Sequence, residues 1–262
     1  MSDALTGKVA VISGGSRGIG RAIALALARD GCDSLLVART ESDLADAAQT
    51  IHTETGRRIE VSSIDLRTEA GCQAVLGVVE ETFQRVDILV NCAGDTKGGQ
   101  FLDLDDEVWH AGFDLKFWSA VRLSRNLWPM LKETKGSVVN IVGGFARTPA
   151  PDVLIGGAVN AALANFSKGL AGLGLQDDVS VNAIHPGPTL TGRMTTMFEN
   201  RAAQAGITAD EFKQQLINKQ GVRRLGEPED VAALVAFLCS EPARHIQGVT
   251  IAVDGGGTKG LF

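Results

Sequence analysis

The chain has 262 residues, 44% hydrophobic and 21% charged, enough for a large buried core and ordinary for a globular protein. Lys and Arg total 25 against 31 Asp and Glu, and this net charge of -6 argues against nucleic acid, whose phosphates reward clustered cations. Four scattered cysteines, Cys32, Cys72, Cys92 and Cys239, form no C-x-x-C pair, so zinc and thiol redox chemistry are not expected and free thiols in a reducing cytoplasm are.

Met1 to Lys8 lacks the apolar run of a secretory signal. Val9-Ala10-Val11-Ile12 is a short apolar strand that ends at glycines, and Arg21 to Arg29 is an Ala/Leu-rich helix stopped by Gly31. Leu35-Leu36-Val37 is the second strand, with a helix over 42–54. Ile59 to Ile64 alternates and ends at Asp65, a third helix covers Glu69 to Phe83, and Ile88-Leu89-Val90 is the fourth strand. A long helix is predicted from Asp105 to Leu131, then the strand Ser137 to Val142, a helix from Val153 to Leu173 and the strand Val179 to Ile184. Residues 189–220 read as polar helix, followed by a helix from Pro228 to Leu238 and the strand Val249 to Val253.

Repeated βαβ units with continuously apolar strands predict an α/β fold with a doubly wound, parallel, seven-stranded sheet and helices on both faces. No linker or repeat divides the chain, so one domain is expected over 1–262. The small-apolar stretch Val153 to Leu175 is broken by Asn160, Asn165, Ser167 and Lys168 and reads as a buried helix, not a membrane span.

Gly14, Gly18 and Gly20 lie between the first strand and the first helix, where a backbone turns sharply and offers helix N–H groups to a pyrophosphate. Their Gly-x-x-x-Gly-x-Gly spacing is wider than G-x-G-x-x-G, and the flanking strand and helix carry the nucleotide reading. An acidic residue ending the second strand would bind a free ribose 2′-hydroxyl. This chain has Ala38 there, followed by Arg39, and Arg17 lies in the glycine loop. Two guanidinium forks suit a 2′-phosphate, so NADP(H) is preferred, with NAD(H) possible. The alternative is that both arginines are solvated surface charge.

The ordered motifs resemble the short-chain dehydrogenase/reductase (SDR) family, in the single-domain Rossmann-fold form of the 3-oxoacyl-carrier-protein reductases. Ser13-Gly14-Gly15-Ser16-Arg17-Gly18-Ile19-Gly20 is similar to the family's Thr-Gly-x-x-x-Gly-Ile-Gly, and Asn91-Cys92-Ala93-Gly94 to its Asn-Asn-Ala-Gly. Asp65-Leu66 matches the pair that faces adenine. Val181 to Gly187 with Thr189 and Thr191 resembles the Val-Asn-x-x-x-Pro-Gly…Thr segment near the nicotinamide. Arg224-Leu225-Gly226-Glu227-Pro228 and Val253-Asp254-Gly255-Gly256 resemble its C-terminal signatures. The resemblance implies cofactor contacts from Gly14, Ser16, Arg17, Gly18, Ile19, Gly20, Arg39, Asp65, Leu66, Asn91, Ala93, Gly94, Asn160, Pro186, Gly187, Thr189 and Thr191. It implies no metal.

The family's chemistry uses a tyrosine to exchange the carbonyl proton, a lysine four residues later, a serine on the substrate oxygen and an asparagine on the preceding long helix. This chain has no tyrosine. The four positions fall on Asp114 for asparagine, Gly143 for serine, and Gly156 and Asn160 for the Tyr-x-x-x-Lys pair. Shifting the alignment restores nothing, because no lysine lies between Lys135 and Lys168 and no serine between Ser137 and Ser167. The glycines predict a wider cleft than usual. Catalytic residues are therefore unassigned from sequence, and ordinary Tyr-dependent reduction is not expected.

Other candidates border the same opening. His110 and Asp114 share a helix face at four-residue spacing and read as a structural or solvated pair. Arg147, Asp152, Asp95 and Lys97 lie in loops beside the cleft, as anchors for an anion or as surface charge. His185 reads as a packed histidine and Lys168 as a solvated one. Met194, Met197 and Phe198 fall in a lid segment at 189–220.

Three readings stay open: an NADP(H)-binding oxidoreductase on a small carbonyl or alcohol, a non-redox dehydratase or isomerase on the same fold, or a binding or regulatory protein without turnover. A cytoplasmic homotetramer or homodimer with a small-molecule ligand is expected, built on the helices near 105–131 and 153–173, with no nucleic acid and no membrane.

Overall fold

The computed structural model describes residues 4–260; the ends of the domain expected over 1–262 lie outside the described residues. Seven strands form one parallel sheet: β1 (Val9–Ser13), β2 (Asp33–Ala38), β3 (Ile59–Ser63), β4 (Ile88–Asn91), β5 (Ser137–Ile141), β6 (Ser180–Pro186) and β7 (Thr250–Val253). The spatial order is β3-β2-β1-β4-β5-β6-β7. Chain order reverses between β1 and β4, so the loops leaving these two strands diverge and open a crevice at their carboxyl ends.

Alternate strand residues feed two separate cores. Ala10, Ile12, Leu36, Ile88 and Val90 face one side, packed on α1 (Gly18–Arg29), α2 (Glu41–Thr55) and α9 (Pro228–Leu238). Val11, Leu35, Val37 and Leu89 face the other, packed on α3 (Glu69–Thr82) and α5 (Ser119–Glu133). This two-sided burial is why the strands read as unbroken apolar runs.

The long helix expected from Asp105 to Leu131 is one rod with a fault in it. It comprises α4 (Asp106–Phe113), a π turn over Asp114–Trp118, and α5. Asp105 caps its start, accepting from the Val108 N–H at 2.9 Å. α6 (Leu154–Asp177) runs one turn beyond its predicted end, because Gly172 and Gly174 stay helical and the stop comes at Asp178 in the left-handed region. The polar stretch 189–220 divides into α7 (Gly192–Ala205) and α8 (Ala209–Gln220) at left-handed Gly206, with a capping box of Thr208 and Glu211 starting α8. No helix among the described residues is long and apolar enough to cross a membrane.

Candidate functional site

The crevice has a nucleotide-facing half built from backbone. Ser13 closes its floor: its Oγ accepts from the N–H groups of Cys92 and Ala93 at 3.0 and 3.1 Å and ties the end of β1 to the turn after β4. Gly14 sits at φ +70°, and a Cβ there would stand 3.0 Å from the Ala93 backbone. A Cβ on Gly20 would overlap the Gly14 carbonyl oxygen. Only glycines let helix α1 approach the strand end this closely. Arg17 caps α1 with its backbone alone, and no acidic residue occupies the first turn. The first-turn N–H groups and the positive end of the helix dipole are left for an anion. Ser16 is buried beside them, and Ile19 and Ala38 pack on the core beneath.

The expected arginines stand free. Arg17 and Arg39 are exposed and have no protein partner among the described residues, whereas Arg21 and Arg29 on the same flank pair with Asp46 and Glu54. Asp65 forks onto Arg67 with contacts of 3.0, 3.0 and 2.5 Å, and that guanidinium holds its carboxyl below the ordinary range; Arg39 adds to the field. Leu66 is buried in the second core. Asn91 turns its side chain inward, donating from Nδ2 to Asn140 Oδ1 at 2.8 Å, and Asn140 donates on to Ser167 at 2.8 Å. Ala93 and Gly94 continue past it at the crevice edge.

The other half is built from side chains, and its arrangement differs from expectation. Asn160 closes on its neighbours: its Oδ1 accepts from Gly143 N–H at 2.6 Å and its Nδ2 donates to the Gly156 carbonyl at 2.6 Å. Both halves of its amide are thereby engaged by backbone. A Cβ on Gly143 would lie 2.6 Å from Asn160 Nδ2, so a side chain at 143 and this asparagine exclude each other. The wide cleft expected at these glycines is accordingly part-filled: Asn160 takes the space beside Gly143, and Thr96 Oγ1 lies 3.2 Å from where a Gly156 Cβ would be.

His185, buried on β6, meets the Gly143 carbonyl through Nδ1 at 3.0 Å. A carbonyl only accepts, so Nδ1 carries the proton. Burial lowers the His185 pKa, and the charges of Arg147 and Lys116 lower it further.

Asp114 lies on the π turn, and its charge is felt by Arg67. The residue that reaches the crevice is Lys116, which the sequence reading passed over. Its Nζ stands 3.0 Å from where a Gly94 Cβ would be. It is half-buried on the π turn and has no hydrogen bond or ion pair among the described residues. The usable signal was a single cation inside Phe113-Asp114-Leu115-Lys116-Phe117-Trp118, an otherwise largely aromatic run.

Past β6, Gly187 donates to Val253 O at 2.9 Å, Thr189 Oγ1 donates to Gly187 O at 2.9 Å, and a Gly187 Cβ would crowd Asp254 at 2.8 Å. Thr191 caps α7 and rests its methyl 3.2 Å from the Cβ position of Gly18, so the lid base touches the glycine loop. Two exposed ion pairs join the lid to the rim: Arg193–Asp95 at 2.9 Å and Arg201–Asp152 at 3.6 Å. Phe198 packs on Phe212 with ring centres 5.7 Å apart, as lid packing. Arg147 bonds back to the Thr250 carbonyl at 3.0 Å. His110 is exposed and makes no hydrogen bond with Asp114. Lys168 donates to the Gly248 carbonyl at 2.9 Å. The described residues hold no cluster of metal-ligating side chains.

Burial pushes the thiols up, Cys72 to about 11 and Cys239 to about 12, as for inert core cysteines. Cys92, beside Lys116, is pushed to about 11.

Three comparisons bear on this geometry. The family described as Enoyl-(Acyl carrier protein) reductase matches residues 14–258. The uncharacterized oxidoreductase YvaG of Bacillus subtilis is 30% identical over 98% of both chains, and the uncharacterized oxidoreductase MT0954 of Mycobacterium tuberculosis is 35% identical over 96% of this chain and 92% of its own. Among solved structures, L-sorbose reductase from Gluconobacter frateurii, complexed with NADPH and L-sorbose, superposes with a TM-score of 0.96 at 34% identity over 100% of each chain.

Proposed function

The chain belongs to the short-chain dehydrogenase/reductase family of oxidoreductases, and from that premise we propose that it is an NADP(H)-dependent enzyme for a small carbonyl or alcohol compound. The observation that carries the cofactor reading is the pair of unshared guanidinium groups, Arg17 and Arg39, flanking a loop in which a Cβ on Gly14 or Gly20 would press on backbone. Such a fork pair recognises a ribose 2′-phosphate, and the uncapped start of α1 takes the pyrophosphate. Ala93, Gly94, Pro186, Gly187, Thr189 and Thr191 border the nicotinamide end. Bound there, the nicotinamide supplies or accepts a hydride.

In this reading Asn160 acts as a brace between Gly143 and Gly156 and leaves the ribose to the lid threonines. The family's serine, tyrosine and lysine have no counterparts at Gly143, Gly156 and Asn160, so proton exchange falls to another group. Titration with NADPH and NADH, followed by nicotinamide fluorescence, tests the first part. A panel of ketones, aldehydes and ketoses, headed by L-sorbose, tests the second by loss of reduced-nicotinamide absorbance. A protein that binds neither nucleotide contradicts the proposal.

A second reading, nucleotide binding without turnover, is favoured by one observation: Asn160 has closed over the space beside Gly143. Tight NADPH binding with no oxidation across the panel would select it.

A further inference from the structure

Lys116 is a half-buried cation at the crevice with no hydrogen bond or ion pair among the described residues. The π turn over Asp114–Trp118 sets its direction, and such turns frequently mark functional sites. Its amine lies against Gly94, three residues past the end of β4, and its charge is felt by His185. An unpaired ammonium in a half-buried place is costly.

The other proton-bearing groups nearby are engaged or unsuited. His185 already donates to the Gly143 carbonyl and is 2% exposed. The Cys92 thiol is held protonated by burial. Asn160 is closed at both ends. Thr96, beside Gly156, offers a hydroxyl that orients an oxygen but does not ionise near neutral pH.

We propose that Lys116 is the catalytic proton donor and acceptor of this site. The proposal rests on the oxidoreductase reading above. In the reducing direction the carbonyl carbon gains a hydride from the reduced nicotinamide and the C=O π pair moves to oxygen. One N–H bond of Lys116 breaks, its proton joins that oxygen, and the neutral amine regains a proton from water. Oxidation of an alcohol runs the same transfers backwards.

The groups facing the amine favour such exchange. Burial lowers the Lys116 pKa and the Arg193 guanidinium on the lid lowers it further, while only the Cys92 thiol opposes this; the amine's charge is in turn felt by His185. An ammonium so placed gives up its proton at lower pH than a solvated lysine.

The test has two arms. In the first, the free protein is acetylated with acetic anhydride across a pH series, and peptide mass spectrometry compares Lys116 with exposed Lys97. The proposal expects Lys116 labelling to rise at lower pH than Lys97 labelling. A shared midpoint, or a Lys116 that resists the reagent throughout, overturns it. In the second, Lys116→Met and Lys116→Arg are assayed with NADPH. Both should bind NADPH like the wild type and lose roughly 10²–10⁴-fold in kcat, since arginine keeps the charge but not the exchangeable proton. A folded Lys116→Met with wild-type kcat overturns the proposal. A wild-type protein that fails to bind NADPH overturns instead the cofactor reading, and the titration reports that separately.

Discussion

The two halves of the crevice are held by different means. On the nucleotide side, position is fixed largely by main chain against main chain: Gly14 against Ala93 and Gly20 against Gly14. On the other side, position is fixed by side chains reaching backbone: Asn160 to Gly143 and Gly156, His185 to Gly143. A backbone contact of the first kind tolerates no substitution, because there is no side chain to move. A contact of the second kind can be traded for another of similar volume and hydrogen-bonding pattern. The first half therefore carries a recognisable sequence, and the second is the half in which substitutions can be absorbed.

Substitutions sharpen or break this contrast. The largest effect is expected from Gly20→Val, whose branched side chain meets the Gly14 carbonyl with nothing flexible to yield. It should cost about 3 kcal/mol or more of stability and abolish NADPH binding, read by denaturant unfolding and fluorescence titration. Next, Arg17→Ala with Arg39→Ala should weaken NADPH binding by roughly 3–6 kcal/mol, at about 1.5–3 kcal/mol for one charged hydrogen bond from each arginine, and leave NADH nearly unchanged. Equal losses for the two nucleotides would mean that the arginines do not read the 2′-phosphate.

On the side held by side chains, Gly143→Ser should destabilise by about 1–3 kcal/mol, because its Cβ would lie 2.6 Å from Asn160 Nδ2. Adding Asn160→Ala should recover much of that, giving a coupling of about 1 kcal/mol or more in a double-mutant cycle. Additive losses would show that the two residues are not exchangeable as a unit.

The smallest effect lies outside both halves. Arg224 and the Glu227 N–H hold the Asp230 carboxyl down to about 2. Its folded pKa lies below its unfolded one, so its contribution is present above the ordinary carboxylate value and fades as pH falls toward about 2. Asp230→Asn should cost under ~1 kcal/mol at neutral pH, since the pair faces solvent, and flatten the unfolding curve between pH ~4 and ~2. Thermal melts across that range measure it.

The contrast also explains what was legible in the chain. Two-sided burial wrote the strands as apolar runs, and steric necessity wrote the nucleotide loop as glycines, so both could be read directly. The π turn could not be read, because one slipped hydrogen bond leaves hydropathy unchanged. Asp114 was singled out because it falls at the family's asparagine position, while Lys116, two residues on, is the side chain that lies against Gly94. The Asn160 brace was hidden for a similar reason: an asparagine four residues from a glycine does not announce that it bonds a loop seventeen residues away.

That single wide turn in the rod carries one last implication. Each residue advances an α-helix by about 100°. Removing one residue between Asp114 and Trp118 would restore ordinary winding and swing a neighbouring side chain, an aromatic one, to the mouth of the crevice. The scaffold thus possesses a dial: a one-codon deletion or insertion at this point would exchange the group presented to a ligand while strands, loop and lid stay as they are.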